Sequence, residues 1–132
     1  MKTFKLLSLI AAGTFALYSF TTLVQEEWKV PAKYVSMKNP VAPTTDANIG
    51  KSLFAKHCKS CHGAEGLGDG PKADDLNGDL GDFTSTAFQK QTDGELFYKI
   101  TFGREDMPEF TKKLPSDEDR WLIVNYMRTL AE

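Results

Sequence analysis

Residues 57–62 read His57-Cys58-Lys59-Ser60-Cys61-His62, and they hold both cysteines and both histidines of the 132-residue chain. Two thiols three positions apart, with nothing to pair elsewhere, do not make a disulfide framework, which needs more cysteines at wider spacing. A redox-active dithiol also uses C-x-x-C, but in a strand-to-helix setting, and no alternating strand pattern appears along the chain. Zinc fits poorly, because four ligands crowded into six consecutive residues would struggle to surround one tetrahedral ion.

The remaining reading is C-x-x-C-H, the attachment sequence of c-type haem. Two thiols on one helical turn, Cys58 and Cys61, can each add to one of the two vinyl groups of a single porphyrin. The next residue, His62, then offers its imidazole to the iron as proximal ligand. His57 projects about 100° away from Cys58 around the helix and is expected at the surface.

Outward from the motif, residues 46–132 read as an all-α domain of about four short helices and long loops around one haem. Asp46 or Asn48 can cap a first helix with Ile49, Leu53 and Phe54 at helical spacing. Residues 63–82 hold six glycines and several aspartates, which is loop composition. Thr84 or Ser85 can start a short helix with Ala87 and Phe88. Thr92-Asp93-Gly94-Glu95 matches the capping-box pattern before Leu96, Phe97, Tyr98 and Ile100. A proline-containing loop spans residues 102–115. Ser116 and the acids that follow it start a last helix carrying Trp121, Leu122, Ile123, Val124, Tyr126, Met127 and Leu130, and Arg128 suits its C-terminal dipole. An 87-residue domain with such long loops is marginal on its own core, and a buried cofactor would relieve that.

With no third histidine, the second axial ligand must come from the four methionines. Met1 and Met37 lie outside the domain, and Met127 sits among apolar neighbours on the last helix, as a core residue does. Met107 instead lies in a charged loop, Gly103-Arg104-Glu105-Asp106-Met107-Pro108, where an apolar side chain is out of place and Pro108 stiffens the backbone. Met107 is the expected ligand. Arg104 is a candidate to bond a haem propionate, with a solvent-facing arginine as the alternative. Asp69, Asp74, Asp75, Asp79 and Asp82 crowd one loop, but without EF-hand spacing they read as solvated rather than as a calcium site.

Lys2 and Lys5 precede an uncharged run over residues 6–24. That is an export segment, either a cleaved signal peptide or a signal anchor, and both readings put the rest of the chain in the periplasm or another extracytoplasmic space. Residues 25–45 contain Pro31, Pro40 and Pro43 and read as a linker or arm. Trp28, Tyr34 and Met37 are too apolar for a free tether, so part of the arm should lie against the domain. Setting aside Lys2 and Lys5 leaves 14 basic against 18 acidic side chains. That balance disfavours nucleic acid as partner and is compatible with docking on a basic protein surface.

The chain resembles the class I monohaem c-type cytochromes over residues 46–132, on the attachment motif and on Met107-Pro108. The resemblance implies a cytochrome c-like fold in which an N-terminal helix crosses the C-terminal helix, with Gly50 and Phe54 on one side and Ile123 and Tyr126 on the other. It also implies that the Pro71 carbonyl accepts the Nδ1–H of His62. The expected function is electron transfer by one covalent haem c with His62 and Met107 on the iron. The carrier would act as a shuttle or as the cytochrome subunit of a respiratory oxidoreductase complex, anchored or released, with redox proteins as partners. The alternative is a haem enzyme, or a gas or redox sensor, with an open sixth site.

Overall fold

The computed structural model describes residues 26–131. Residues 1–24, read from the sequence as an export segment, lie outside the described residues. Among those described, no helix is long and apolar enough to cross a membrane.

The described chain forms six α-helical segments and no β-strand: α1 Ala32–Val35, α2 Ala47–His57, α3 Lys59–His62, α4 Thr86–Gln89, α5 Asp93–Phe102 and α6 Asp117–Arg128. The fold is therefore all-α, as the sequence implies. Three of the six are single turns of four residues, and a 3₁₀ turn, Ala73–Asp75, interrupts the glycine-rich loop.

The longer helices start where local chemistry allows. At the head of α5, Thr92 Oγ1 accepts from the Glu95 N–H at 3.2 Å, while Glu95 Oε2 accepts from the Thr92 N–H at 2.6 Å. Two otherwise orphaned donors are thus satisfied reciprocally. Ser85 caps α4 and Ser116 caps α6 through their hydroxyls. Asp46 precedes α2 with φ of 40° and no side-chain cap, so its expected role there is not met.

Burial then assembles the elements. On α2, Gly50 and Phe54 are buried one turn apart. On α6, residues 120–125 and Met127 are buried. The two helices cross so closely that a Cβ on Gly50 would lie 2.2 Å from the Leu122 carbonyl oxygen, which is why glycine stands there. One turn on, Phe54 meets Tyr126 with ring centroids 5.1 Å apart. α5 packs against α6 through Phe97 stacked on Trp121 at 4.0 Å. Fully burying each such ring contributes about 1.5–3 kcal/mol.

The segment before α2 is docked on the domain. α1 lies on α5, where Tyr34 contacts Tyr98 and Phe102 at centroid distances of 4.8 and 5.7 Å. Gly94 makes room for it: a Cβ there would lie 1.8 Å from the Tyr34 carbonyl oxygen. Farther on, Asn39 Nδ2 donates to Asn125 Oδ1 at 2.8 Å, and Asn125 Nδ2 donates to the Val41 carbonyl at 3.1 Å. A buried amide on α6 thereby finds its partners in the arm.

Candidate functional site

The attachment motif occupies the junction of α2 and α3. The Cys58 N–H still bonds the Phe54 carbonyl of α2 at 2.8 Å, and the His62 N–H bonds the Cys58 carbonyl at 3.0 Å. Cys58 and His62 are thus one helical turn apart. Cys58 packs against the hydrophobic core. Burial, and secondarily Cys61 nearby, pushes its thiol up to about 12. A reactive dithiol needs the opposite shift, toward the thiolate. His57 is half-buried rather than a plain surface residue. It meets the edge of Phe110 at 6.3 Å, and burial lowers its pKa, with Lys56 and Lys113 adding to the effect.

The ring of His62 lies against Phe83 at a centroid distance of 4.7 Å. Its Nδ1 is 3.2 Å from the carbonyl oxygen of Leu80. This corrects the expectation for Pro71: the carbonyl that meets the imidazole comes from Leu80, and Pro71 is an exposed residue of the loop. The reason is the loop's path. Its first half folds back onto the attachment turn, with the Gly70 N–H on the Cys61 carbonyl and the Lys72 N–H on the Ser60 carbonyl. The second half then brings the Leu80 carbonyl to the His62 ring. A carbonyl only accepts, so the shared proton sits on Nδ1 and the lone pair on Nε2. Burial lowers the His62 pKa and the Leu80 bond partly opposes it, so the ring favours the neutral form that binds metals.

Met107 sits on a four-residue turn in which Arg104 and Met107 exchange both backbone hydrogen bonds at 2.9 Å. Glu105, inside the turn, has φ of 52°. The turn lies tight on Gly103, whose φ is 62° and where a Cβ would be 2.3 Å from the Met107 carbonyl oxygen. Asp106 Oδ2 accepts from the backbone N–H and the side-chain amide of Asn77 at 2.8 and 3.1 Å. The methionine loop is thereby tied to the loop that follows the attachment motif.

A cavity of about 200 Å³ separates the two loops, and both His62 and Met107 line it. Phe83, Phe88, Leu96 and Ile100 give it apolar walls, while Trp28, Lys99 and Arg104 stand along one side. Met127 also lines it, besides being 5% exposed in the core. Arg104 is half-buried: its guanidinium lies 4.6 Å from the Trp28 ring centroid and its Nη1 donates to the Glu26 carbonyl at 2.8 Å. Lys99 lies 5.4 Å from the same ring. Its pKa is lowered, chiefly by burial and further by Arg104, against the opposing pull of Glu95 and Glu27.

Leu80, Phe83 and Lys99 are residues of this cavity that the sequence reading did not single out, while Trp28 was read only as a residue that should lie against the domain. Among the described residues no group of three or more possible metal ligands occurs. Side chains of the aspartate-rich loop cap backbone turns, as Asp82 does for Thr84 and Asp79 for Gly81. An apolar slot with an imidazole and a thioether on its walls and two cations beside it suits a flat, apolar macrocycle that chelates a soft-accepting metal and carries ionised acids.

Comparison with known proteins agrees with that chemistry. Residues 45–127 match the family described as cytochrome c oxidase, cbb3-type, subunit III. Among solved structures, a chain of the Kuenenia stuttgartiensis reducing HAO-like protein complex Kustc0457/Kustc0458 is 31% identical, with a TM-score of 0.61. The match covers 83% of this chain and 53% of that one, so this chain spans about half the length of that relative. The KustC0563 c-type cytochrome is 28% identical, with a TM-score of 0.55, over 63% of this chain and 98% of its own. No curated protein matches. The chain therefore belongs to the cytochrome c family, within the group of cbb3-type oxidase subunit III domains, as a class I monohaem c-type cytochrome that carries covalent haem c for electron transfer.

Proposed function

We propose that this chain is an extracytoplasmic electron carrier in which Cys58 and Cys61 hold the haem through thioethers and His62 and Met107 are the axial iron ligands. One observation carries the reading: His62 and Met107 line the same cavity, directly beside a C-x-x-C-H turn. Bound there, haem supplies reversible one-electron exchange between ferrous and ferric iron.

The chain's own residues set the terms of that exchange. The Leu80 carbonyl fixes the His62 tautomer and orients its ring. The neutral, soft thioether of Met107 favours the ferrous state and raises the potential. Phe83, Leu96 and Ile100 keep the surroundings apolar. Arg104 is assigned to a haem carboxylate, a role supported by its position on the cavity wall. With His62 and Met107 both given to the iron, no position would be left for oxygen or peroxide, which is the reason to read a carrier rather than an enzyme.

The division proposed for the chain is an export segment over residues 1–24, an arm over 25–45 and the cytochrome domain over 46–132. The export segment acts as a cleaved signal peptide or an anchor. The partners are redox proteins, with the chain acting as a shuttle or as a cytochrome subunit of a respiratory complex. The subunit role is supported by similarity to a chain from a multi-protein HAO-like complex.

The test is spectroscopic. Matured protein should keep its haem on a denaturing gel, and Cys58→Ala with Cys61→Ala should lose it. Met107→Ala should lower the potential and admit carbon monoxide to the reduced protein. Carbon monoxide binding by the wild type would overturn the six-coordinate assignment.

A further inference from the structure

Trp28 precedes residues 45–127, which match the family, yet it lines the same cavity as His62 and Met107. Two cations hold its ring, Arg104 at 4.6 Å and Lys99 at 5.4 Å. Arg104 also donates to the Glu26 carbonyl at 2.8 Å. Its own backbone closes the turn of Met107 through two bonds of 2.9 Å. The arm is thus joined to the methionine by a single intervening residue.

That turn needs outside support. Glu105 adopts a left-handed φ of 52°, a conformation that costs a residue bearing a Cβ and persists where surroundings enforce it. Asn77 grips the turn through Asp106. The arm grips it through Arg104.

We infer that the arm braces the sixth iron ligand, with Trp28 as a positioning residue that acts on Met107 through Arg104. The inference rests on the assignment of Met107 to iron. Removing the indole frees the Arg104 guanidinium, loosens the turn and raises the fraction of molecules in which an outside ligand can displace the thioether.

The experiment uses the full-length holoprotein. Its readouts are the far-red charge-transfer band of methionine-ligated ferric haem and the affinity for imidazole. Trp28→Ala should weaken the band and tighten imidazole binding roughly three- to tenfold, the range that follows from losing cation–π contacts of this kind. Trp28→Phe, which keeps an aromatic face, should restore most of the wild-type behaviour. Gly94→Ala should shift both readouts in the same direction, since it lifts Tyr34 and the arm off α5 at a point outside the cavity. Ile123→Val, a core loss outside the cavity lining, should change neither. The brace is overturned if Trp28→Ala keeps both wild-type readouts while Met107→Ala loses the band. It is equally overturned if Ile123→Val matches Trp28→Ala, because general loosening would then suffice. A Met107→Ala protein that keeps the band would sink the ligand assignment itself, and the brace with it.

Discussion

The imidazole of His62 is oriented by the backbone of Leu80: Nδ1 and the carbonyl oxygen lie 3.2 Å apart across eighteen positions of sequence. A backbone acceptor survives any side-chain change, so what matters is how firmly the loop holds it. Leu80→Gly adds freedom at that point and should speed exchange of the His62 Nδ1 proton with solvent, read by NMR on the reduced protein. Pro71→Ala should leave that rate at the wild-type value. A faster exchange in Pro71→Ala would reassign the acceptor.

The helix crossing at Gly50 tolerates no side chain. An added Cβ would meet the Leu122 carbonyl oxygen at 2.2 Å and its carbon at 2.9 Å, and these are backbone atoms that move only with α6. Gly50→Ala should therefore cost at least about 1–3 kcal/mol, the usual range for overpacking. Denaturant unfolding of the holoprotein measures it. Wild-type stability in this variant would mean that the helices can slide apart cheaply.

Arg128 does more than complement a helix dipole. Its Nε bonds Asp93 at 2.9 Å, Nη1 bonds the Gln89 carbonyl at 3.0 Å and Nη2 bonds the Gln91 carbonyl at 2.6 Å. It pins the link between α4 and α5 to the end of α6. Arg128→Ala should lose about 1.5–3 kcal/mol, as expected for hydrogen bonds to a charged group. Arg128→Lys should recover only the ion pair with Asp93, since an ammonium lacks the planar fork that reaches both carbonyls. Equal stabilities for the two variants would contradict the forked arrangement.

Asp82 predicts a pH dependence. Its carboxylate accepts from the Thr84 hydroxyl at 2.7 Å and the Thr84 N–H at 2.8 Å, and these bonds lower its pKa below the ordinary 3.8. A carboxylate depressed in the folded state contributes stability that is fully present above the unfolded pKa. That contribution is lost as pH falls through the folded value. Asp82→Asn keeps an acceptor and removes the charge. Its deficit against wild type should be constant near neutrality and should shrink as pH drops below 3.8. Unfolding midpoints across that range test it, and a deficit independent of pH would count against the shift.

The parts of this molecule that were readable in sequence are those where chemistry dictates spacing. Two thioethers and an adjacent imidazole require C-x-x-C-H, so residues 58–62 announce their use. The reciprocal bonds of Thr92 and Glu95 require a three-residue offset, so the start of α5 was visible. Met107 stood out as a thioether in a charged loop, and the structure puts it on the wall of the cavity that His62 also lines. The acceptor for His62 was not readable in this way. Any residue has a carbonyl, so neither Pro71 nor Leu80 carries a mark, and only the loop's path decides between them.

The arm was expected to lie against the domain, but its partners there were hidden for a different reason. Pro31, Pro40 and Pro43 gave it the composition of a linker, while its docking depends on groups far away in sequence. Tyr34 needs the missing side chain of Gly94, and Asn39 needs the amide of Asn125. Trp28 signalled only that it wanted cover. Met127 was legible as a core residue from helical spacing, yet the same side chain also lines the cavity.

The bond between Arg104 and the Glu26 carbonyl fixes where the described polypeptide enters the fold: beside the cavity that His62 and Met107 line. A module fused directly ahead of Glu26 should therefore sit within short reach of that cavity, at a local concentration set by the length of the connection rather than by diffusion through the bulk. A donor or acceptor module fused there should exchange electrons with the haem faster than the same module fused after Ala131, beyond the end of α6.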